Sequence, residues 1–244
     1  MYPLGAAIAG TLVVSRIYLS LVVTLALLVG CDAGPAPNAG AKPGASEYDN
    51  YSNYGTVDFK DEAPANTTTT EDLSSLQFTD PSGKPVDLKQ YHGQKNVVLV
   101  FTRGLTSTLD PQAKGAAGGI CLYCATQTSR IAANYDEFQK RDAEVIAVFP
   151  VVKPKDAARL TDFEKAIKDA ATTPGGEKAA FPIVLDVELK AVDHLGIRRD
   201  LSKPSTFILD KDGKVRYAYV GANLADRPSV RAMLAQLDQI NGPQ

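Results

Sequence analysis

Tryptophan is absent from this chain of 244 residues, histidine and methionine occur twice each, and cysteine occurs three times. Each scarcity excludes something. A structural zinc site draws about four ligands, mostly Cys and His. Beyond the pair Cys121 and Cys124 only Cys31, His92 and His194 remain, the histidines in a turn and near a helix end, where they read as surface residues. Haem attachment would need histidine directly after the second cysteine of that pair, and Ala125 stands there. A basic excess is missing too. Lys and Arg number 26 against 28 Asp and Glu, a net charge of -2, which offers no footprint for DNA or RNA. Neither a nucleic-acid partner nor a metal or organic cofactor is expected.

The cysteines that are there divide into one and two. Residues 17–30 form an apolar run after Arg16 and end directly before Cys31, a signal-peptide outline. Leu28-Val29-Gly30-Cys31 resembles the lipobox of bacterial lipoproteins, in which the cysteine is lipidated and becomes the new N-terminus. The alternative is an uncleaved membrane anchor over residues 4–30, which length permits. Either reading tethers the chain to a membrane with the rest on the extracytoplasmic side, in a periplasm or other cell-envelope space. Asp32 after Cys31 resembles an inner-membrane retention signal. Residues 32–75, rich in Gly, Ala, Pro, Asn, Ser and Thr, are expected to be a disordered linker, because they carry too little apolar surface for a core. The expected organisation is therefore a signal peptide or anchor over 1–31, a linker over 32–75 and one globular domain over 76–244.

In that domain, residues 76–79 and 86–88 flank Asp80-Pro81-Ser82-Gly83-Lys84 and predict a hairpin. Asn96-Val97-Val98-Leu99-Val100-Phe101 reads as a central strand covered on both faces. A loop of Thr, Ala and Gly over 104–119 follows, a candidate lid, and then a helix from Cys121 to about Lys140. A strand over 143–149, an amphipathic helix over 155–171, a strand over 181–185 and a short helix over 186–195 come next. Strands over 205–209 and 215–220 meet at Asp210-Lys211-Asp212-Gly213-Lys214, and residues 227–240 close the chain as a helix. Asp210 and Asp212 do not make a calcium loop, because the remaining ligands are missing. The alternation predicts an α/β fold with a mixed sheet.

Gly119-Ile120-Cys121-Leu122-Tyr123-Cys124 is the stretch that carries chemistry. A helix start turns unpaired N–H groups and the positive end of its dipole toward sulfur, which favours a thiolate at Cys121. Cys124, three residues on, shares that face and can close a local disulfide. Cys121 is thus expected to exchange with a partner and Cys124 to resolve. An inert structural disulfide is the bland alternative, but so small a loop stabilises little.

Three features taken in order resemble the thioredoxin fold, specifically the redoxin group that includes alkyl hydroperoxide reductase/thiol-specific antioxidant proteins. They are the hairpin ending in Asp87-Leu88, the Cys121-x-x-Cys124 helix start, and Lys203-Pro204-Ser205-Thr206-Phe207-Ile208-Leu209-Asp210. The resemblance covers residues 76–240. It implies a membrane-tethered thiol-disulfide oxidoreductase with a redox-active centre and catalytic Cys121 and Cys124. Its partner would be a protein dithiol or disulfide, or a small thiol. It also implies a cis proline at Pro204, lying against the cysteines and positioning the partner together with Lys203, Arg103 and Tyr123. For Arg103 two roles stand open, steadying the Cys121 thiolate or ending the strand as a solvated charge; Lys203 has the same choice, and Tyr123 either meets substrate or packs on the domain.

The departures are equally specific. Peroxiredoxins place proline and threonine seven and three residues before the peroxidatic cysteine; those positions are Lys114 and Gly118 for Cys121, and Ala117 and Cys121 for Cys124. An antioxidant thiol peroxidase acting on peroxide is therefore the alternative, and a redox-inactive thioredoxin-fold binding module is the alternative of another class. Ile120 replaces the aromatic that precedes the thioredoxin site, and Val100 replaces the acid beneath its cysteines.

Overall fold

The central strand decides the architecture, because its alternate side chains feed two different cores. In the computed structural model, which describes residues 59–69, 72–104 and 120–242, all six residues of β3 (Asn96–Phe101) are buried. Val97, Leu99 and Phe101 point into one apolar cluster with Ile146, Val148 and Phe207. Val98 and Val100 point into the other with Val145, Ala147 and Ile208. This is the period-2 geometry of a strand roofed on both sides.

Around it lies a seven-stranded mixed sheet in the order β2-β1-β5-β4-β3-β6-β7. β1 (Gln77–Thr79) and β2 (Pro85–Asp87) form the expected hairpin, with Phe78 opposite Val86. The Asp80 carboxylate accepts from the N–H groups of Ser82 and Lys84 and closes the turn. β4 (Ala143–Val151) pairs parallel to β3 and to β5 (Ile183–Val187), as crossover helices require. β6 (Ser205–Leu209) and β7 (Val215–Val220) run antiparallel beyond β3, joined by a turn in which Asp210 repeats the capping of Asp80. The expected α/β thioredoxin-like architecture is present.

The helices depart from expectation in four places. The one over 121–140 is two, α1 (Leu122–Ala133) and α2 (Tyr135–Gln139), because the Asn134 amide donates to the Arg130 carbonyl at 2.8 Å and ends the first. The one over 155–171 begins as a 3₁₀ turn over Pro154–Arg159 and becomes α3 at Leu160–Ala170. Only Lys190–His194 form α4, whose Ala191 and Val192 N–H groups are capped by the buried Asp186 carboxylate. The closing helix, α5, spans Val230–Asn241 with Ser229 as its N-cap, so Arg227 lies in the turn before it.

The ordered fold also starts before the expected residue 76. Residues 59–69 run beside β7 and the start of α5, and Leu73 in a short 3₁₀ turn is fully buried. Their polar composition hides this, because backbone and amide groups hold the segment rather than apolar area. The Asn66 amide donates to the Val220 carbonyl at 2.9 Å and accepts from the Val220 N–H at 2.8 Å. The Lys60 N–H donates to the Arg227 carbonyl at 2.9 Å, and the Ser229 N–H donates to the Lys60 carbonyl at 2.8 Å. Cys31, the apolar run over 17–30, and residues 105–119 of the expected lid lie outside the described residues. Among the described residues no helix is long and apolar enough to cross a membrane.

Gly104, three residues beyond the end of β3, has φ +83°, and a Cβ there would sit 2.2 Å from the Pro150 carbonyl oxygen. Gly104→Ala is expected to destabilise the protein by about 2–4 kcal/mol, from the strained backbone and the overlap together. Urea unfolding of both proteins measures this.

Candidate active site

Four pieces of chain converge on two sulfurs. Cys121 is the N-cap of α1, and its Sγ accepts from the Cys124 N–H at 3.3 Å. Cys124 lies in the first turn, its Sγ accepting from the Arg103 N–H at the end of the β3 strand, also at 3.3 Å. From the turn before α5, Arg227 enters the core. Its Nη2 donates to Cys124 Sγ at 3.0 Å and reaches Cys121 Sγ at 3.7 Å. Both cysteines are buried free thiols, and Arg227 is 1% exposed.

Arg227 is fixed by its other nitrogens. Nε donates to the Leu224 carbonyl and Nη1 to Gln127 Oε1, each at 2.7 Å. Gln127 follows Cys124 by three residues on α1, hence on the same face. Its amide also donates to the Pro228 carbonyl at 3.4 Å, so one side chain ties the cysteine helix to the arginine turn. The turn is held from outside by Asp226, whose carboxylate accepts from Lys60 Nζ, the Tyr219 hydroxyl and the Ala222 N–H. Burial pushes the Asp226 carboxyl up, but Lys60 and Tyr219 outweigh it and hold the group below the ordinary carboxylate value.

The two thiols are driven apart. Burial raises both; at Cys124 it is overcome by the hydrogen bond from Cys121, the Arg227 charge and the Arg103 N–H, which bring that thiol down to about 6. Cys121 is raised well above the ordinary thiol value by burial and by its anionic neighbour. The expectation put the thiolate on Cys121. The geometry puts it on Cys124, because a nearby guanidinium and a strand-end N–H outweigh the single helix-start N–H that reaches Cys121. The shorter Arg227 contact and the Arg103 N–H thus favour negative charge at Cys124 over Cys121.

The remaining predicted residues are placed as follows. Arg103 meets Cys124 through its backbone, while its guanidinium pairs with Asp200 at 2.6 Å. The Arg103 carbonyl accepts from the Ser202 N–H, which brings the proline loop against the same strand end. Pro204 is buried, but its peptide is trans, since the described residues contain no cis peptide bond. That corrects the expected cis proline. The trans loop is held by the Ser202 and Ser205 hydroxyls on the Lys203 carbonyl, and by the Gly221 N–H on the Pro204 carbonyl at 2.8 Å. A Cβ on Gly221 would lie 2.8 Å from Pro204 Cγ, so glycine is what lets the proline loop and the arginine turn touch. Lys203 is half-buried and donates its N–H to the Ile197 carbonyl. Tyr123 packs on the cluster formed by Cys121, Cys124, Phe149 and Phe163, which favours its packing role.

Arg227 is the functional residue that the sequence reading missed, having absorbed it into the closing helix. The available signal is Pro228-Ser229, a helix start that leaves Arg227 outside the helix. Where thioredoxins keep a buried acid beneath the cysteines, this chain has a buried base beside them.

The model of the AhpC/TSA family matches residues 60–218. Among solved structures the chain is similar to peroxidoxin BcpB of Mycobacterium tuberculosis, with 18% identity and a TM-score of 0.48 over 73% of this chain and 97% of that one. It is also similar to peroxiredoxin Q of Xanthomonas campestris, at 18% and 0.48 over 73% and 99%. The mitochondrial 2-Cys peroxiredoxin of Plasmodium falciparum is similar at 20% and 0.47 over 67% and 87%. No curated protein matches the chain.

Cys124 ionises at about 6 in the folded chain and near the ordinary thiol value of about 8.5 when unfolded. Its stabilising contribution is therefore complete above the unfolded value and is lost as pH falls through the folded one. Urea midpoints of the reduced protein are expected to rise between these two pH values, and Arg227→Met is expected to flatten that rise. Ultraviolet titration of the thiolate on the same samples should move the low midpoint upward in Arg227→Met and remove it in Cys124→Ser.

Proposed function

Because this chain belongs to the AhpC/TSA family of thiol-dependent oxidoreductases, we propose that it is a membrane-tethered, extracytoplasmic thiol-disulfide oxidoreductase working through Cys121 and Cys124. The observation that carries the exchange chemistry is the Cys124 sulfur held between the Arg227 guanidinium and the Arg103 N–H, with the Cys121 thiol hydrogen-bonded beside it. A thiolate is the attacking species in exchange, and a second thiol within reach resolves the mixed disulfide. The pair alternates between a dithiol and a disulfide, passing two electrons to or from a protein dithiol or disulfide, or a small thiol. The loop whose Ser202 N–H donates to the Arg103 carbonyl, with half-buried Lys203 and buried Pro204 next in it, is assigned the positioning of such a partner.

Family membership favours a second reading, reduction of a hydroperoxide. The Cys124 thiolate attacks the peroxide oxygen, the O–O bond breaks, the alkoxide leaves and takes a proton from solvent to become the alcohol, and Cys124 becomes a sulfenic acid. The Cys121 thiol then condenses with it, forming the disulfide and releasing water. The position three residues before Cys124, threonine in peroxiredoxins, is here Cys121, the thiol that resolves the sulfenic acid within one helical turn.

The tether rests on the apolar run over 17–30 and on Leu28-Val29-Gly30-Cys31. Cys31→Ser is expected to abolish lipid incorporation and to release the protein from the membrane fraction on carbonate extraction. Retention of the variant in that fraction would favour the uncleaved anchor.

For the chemistry, the full chain is equilibrated with glutathione buffers and then supplied with peroxide. Cys121→Ser and Cys124→Ser are each expected to lower exchange turnover by about 1,000-fold or more. A wild-type pair that stays oxidised at every glutathione ratio would point instead to an inert disulfide. Sulfenic acid forming on Cys124 in Cys121→Ser, with peroxide turnover in the wild type, establishes the second reading.

A further inference from the structure

A guanidinium at the end of a long side chain keeps a fixed distance from sulfur only if the backbone that carries it is itself held. On both sides of Arg227 that backbone is held by Lys60. The Lys60 N–H donates to the Arg227 carbonyl at 2.9 Å, and the Lys60 carbonyl accepts from the Ser229 N–H at 2.8 Å, a parallel bridge beside Pro228. Lys60 Nζ meets the Asp226 carboxylate at 2.7 Å and the Tyr219 hydroxyl at 3.0 Å. One residue thus grips positions 226, 227 and 229 of the turn through its N–H, its carbonyl and its ammonium. Its neighbours extend the grip. Asp61 Oδ1 accepts from the Ser229 hydroxyl at 2.7 Å, and the Phe59 ring lies 5.0 Å from the Arg130 guanidinium on α1, the helix that starts at the cysteines.

The Lys60 side chain is 55% exposed, and an ion pair so open to water adds little to stability. Its effect is on distance. Attraction between opposite charges falls as the reciprocal of their separation, so a retreat of the guanidinium by about 1 Å from 3.0 Å weakens its hold on a Cys124 anion by about a quarter. We propose that Lys60 is a positioning residue of the redox centre, holding the turn from Asp226 to Ser229 so that Arg227 stays close to the Cys124 sulfur. The readiness of that thiol to ionise follows from the distance. The inference rests on the thiol chemistry proposed above and adds to it a residue that touches neither sulfur, in a segment whose composition reads as linker.

The ionisable groups facing Cys124 are Cys121 on its own helix and Arg227 from the turn before α5, with Arg103 facing it through the backbone N–H. Of these, Arg227 is the one that Lys60 anchors. The reduced full chain and its Lys60→Met and Lys60→Arg variants are titrated by the ultraviolet absorbance of the thiolate, and alkylation of Cys124 is followed by mass over the same pH range. Lys60→Met is expected to move the Cys124 midpoint upward from about 6 by about one unit, a tenfold change in the ionisation constant. Its alkylation then runs about tenfold slower than that of the wild type below the wild-type midpoint, and the two rates converge above about pH 8, where both thiols are ionised. Lys60→Arg, which keeps a cation on Asp226, is expected to titrate with the wild type. Lys211→Met removes an ion pair with Asp142 away from the cysteines and is expected to leave the titration unmoved.

A folded Lys60→Met that titrates with the wild type overturns the inference and leaves exchange intact. A wild type that exchanges with no glutathione buffer overturns the functional reading instead, while a displaced midpoint in Lys60→Met still establishes the positioning role. Should Lys60→Met not fold, Asp226→Asn decides: it keeps an acceptor for the Tyr219 hydroxyl and drops the charge that Lys60 meets, and an unmoved midpoint there overturns the proposal.

Discussion

A guanidinium withdrawn from water has to be answered by fixed acceptors, and the active-site end of this molecule is arranged around the answer to Arg227. The Leu224 carbonyl lies in the same turn, Gln127 one step along the cysteine helix, and the two sulfurs at the start of that helix. Moving any of these leaves a buried charge short of a partner, so α1 and the turn before α5 are held in register by more than apolar contact. Burial and charge oppose each other at Cys124, and charge wins only because the distances are short.

That turn is in turn held by chain far away in sequence. Lys60 pairs its backbone with Arg227 and Ser229, and its ammonium meets Asp226 at 2.7 Å. An exposed ion pair alone is worth little, but here it accompanies two backbone hydrogen bonds and the Tyr219 hydroxyl on the same carboxylate. Phe59 adds a contact with the other partner, its ring lying 5.0 Å beneath the Arg130 guanidinium on α1. Residues 59–61 therefore bridge the element that bears the sulfurs and the element that bears the arginine.

What was legible in the sequence is what depends on local pattern. The unbroken apolar run of β3, the Asp-capped turns at Asp80 and Asp210, and the Cys-x-x-Cys at a helix start all state their geometry within a few residues. What was illegible depends on partners distant in the chain. Residues 59–69 look like a linker because Asn66 and Lys60 are held through hydrogen bonds to β7 and to the turn before α5, which composition does not register. Arg227 reads as the first residue of the closing helix because nothing near it announces a buried anion. The thiolate was assigned by the helix-start argument alone, which is sound for one N–H but silent about a cation arriving about a hundred residues later. The trans peptide at Pro204 is the ordinary isomer of a proline bond, and a comparison of short motifs does not register the hydrogen bonds of Ser202, Ser205 and Gly221 that hold its loop.

β7 is the last strand of the sheet, and Asn66 lies along its outer side, exchanging hydrogen bonds with Val220 while its own N–H reaches the Ala218 carbonyl at 3.1 Å. A sheet margin with unpaired N–H and C=O groups is a template for any extended peptide, including another copy of the same strand. The polar stretch that leads into the domain thus serves as a selvedge, finishing the fabric where it would otherwise fray into intermolecular pairing. A form of the protein trimmed back to the apolar start of the domain would keep its cysteines but lose both that border and the Lys60 hydrogen bonds to the arginine turn, leaving β7 open to association.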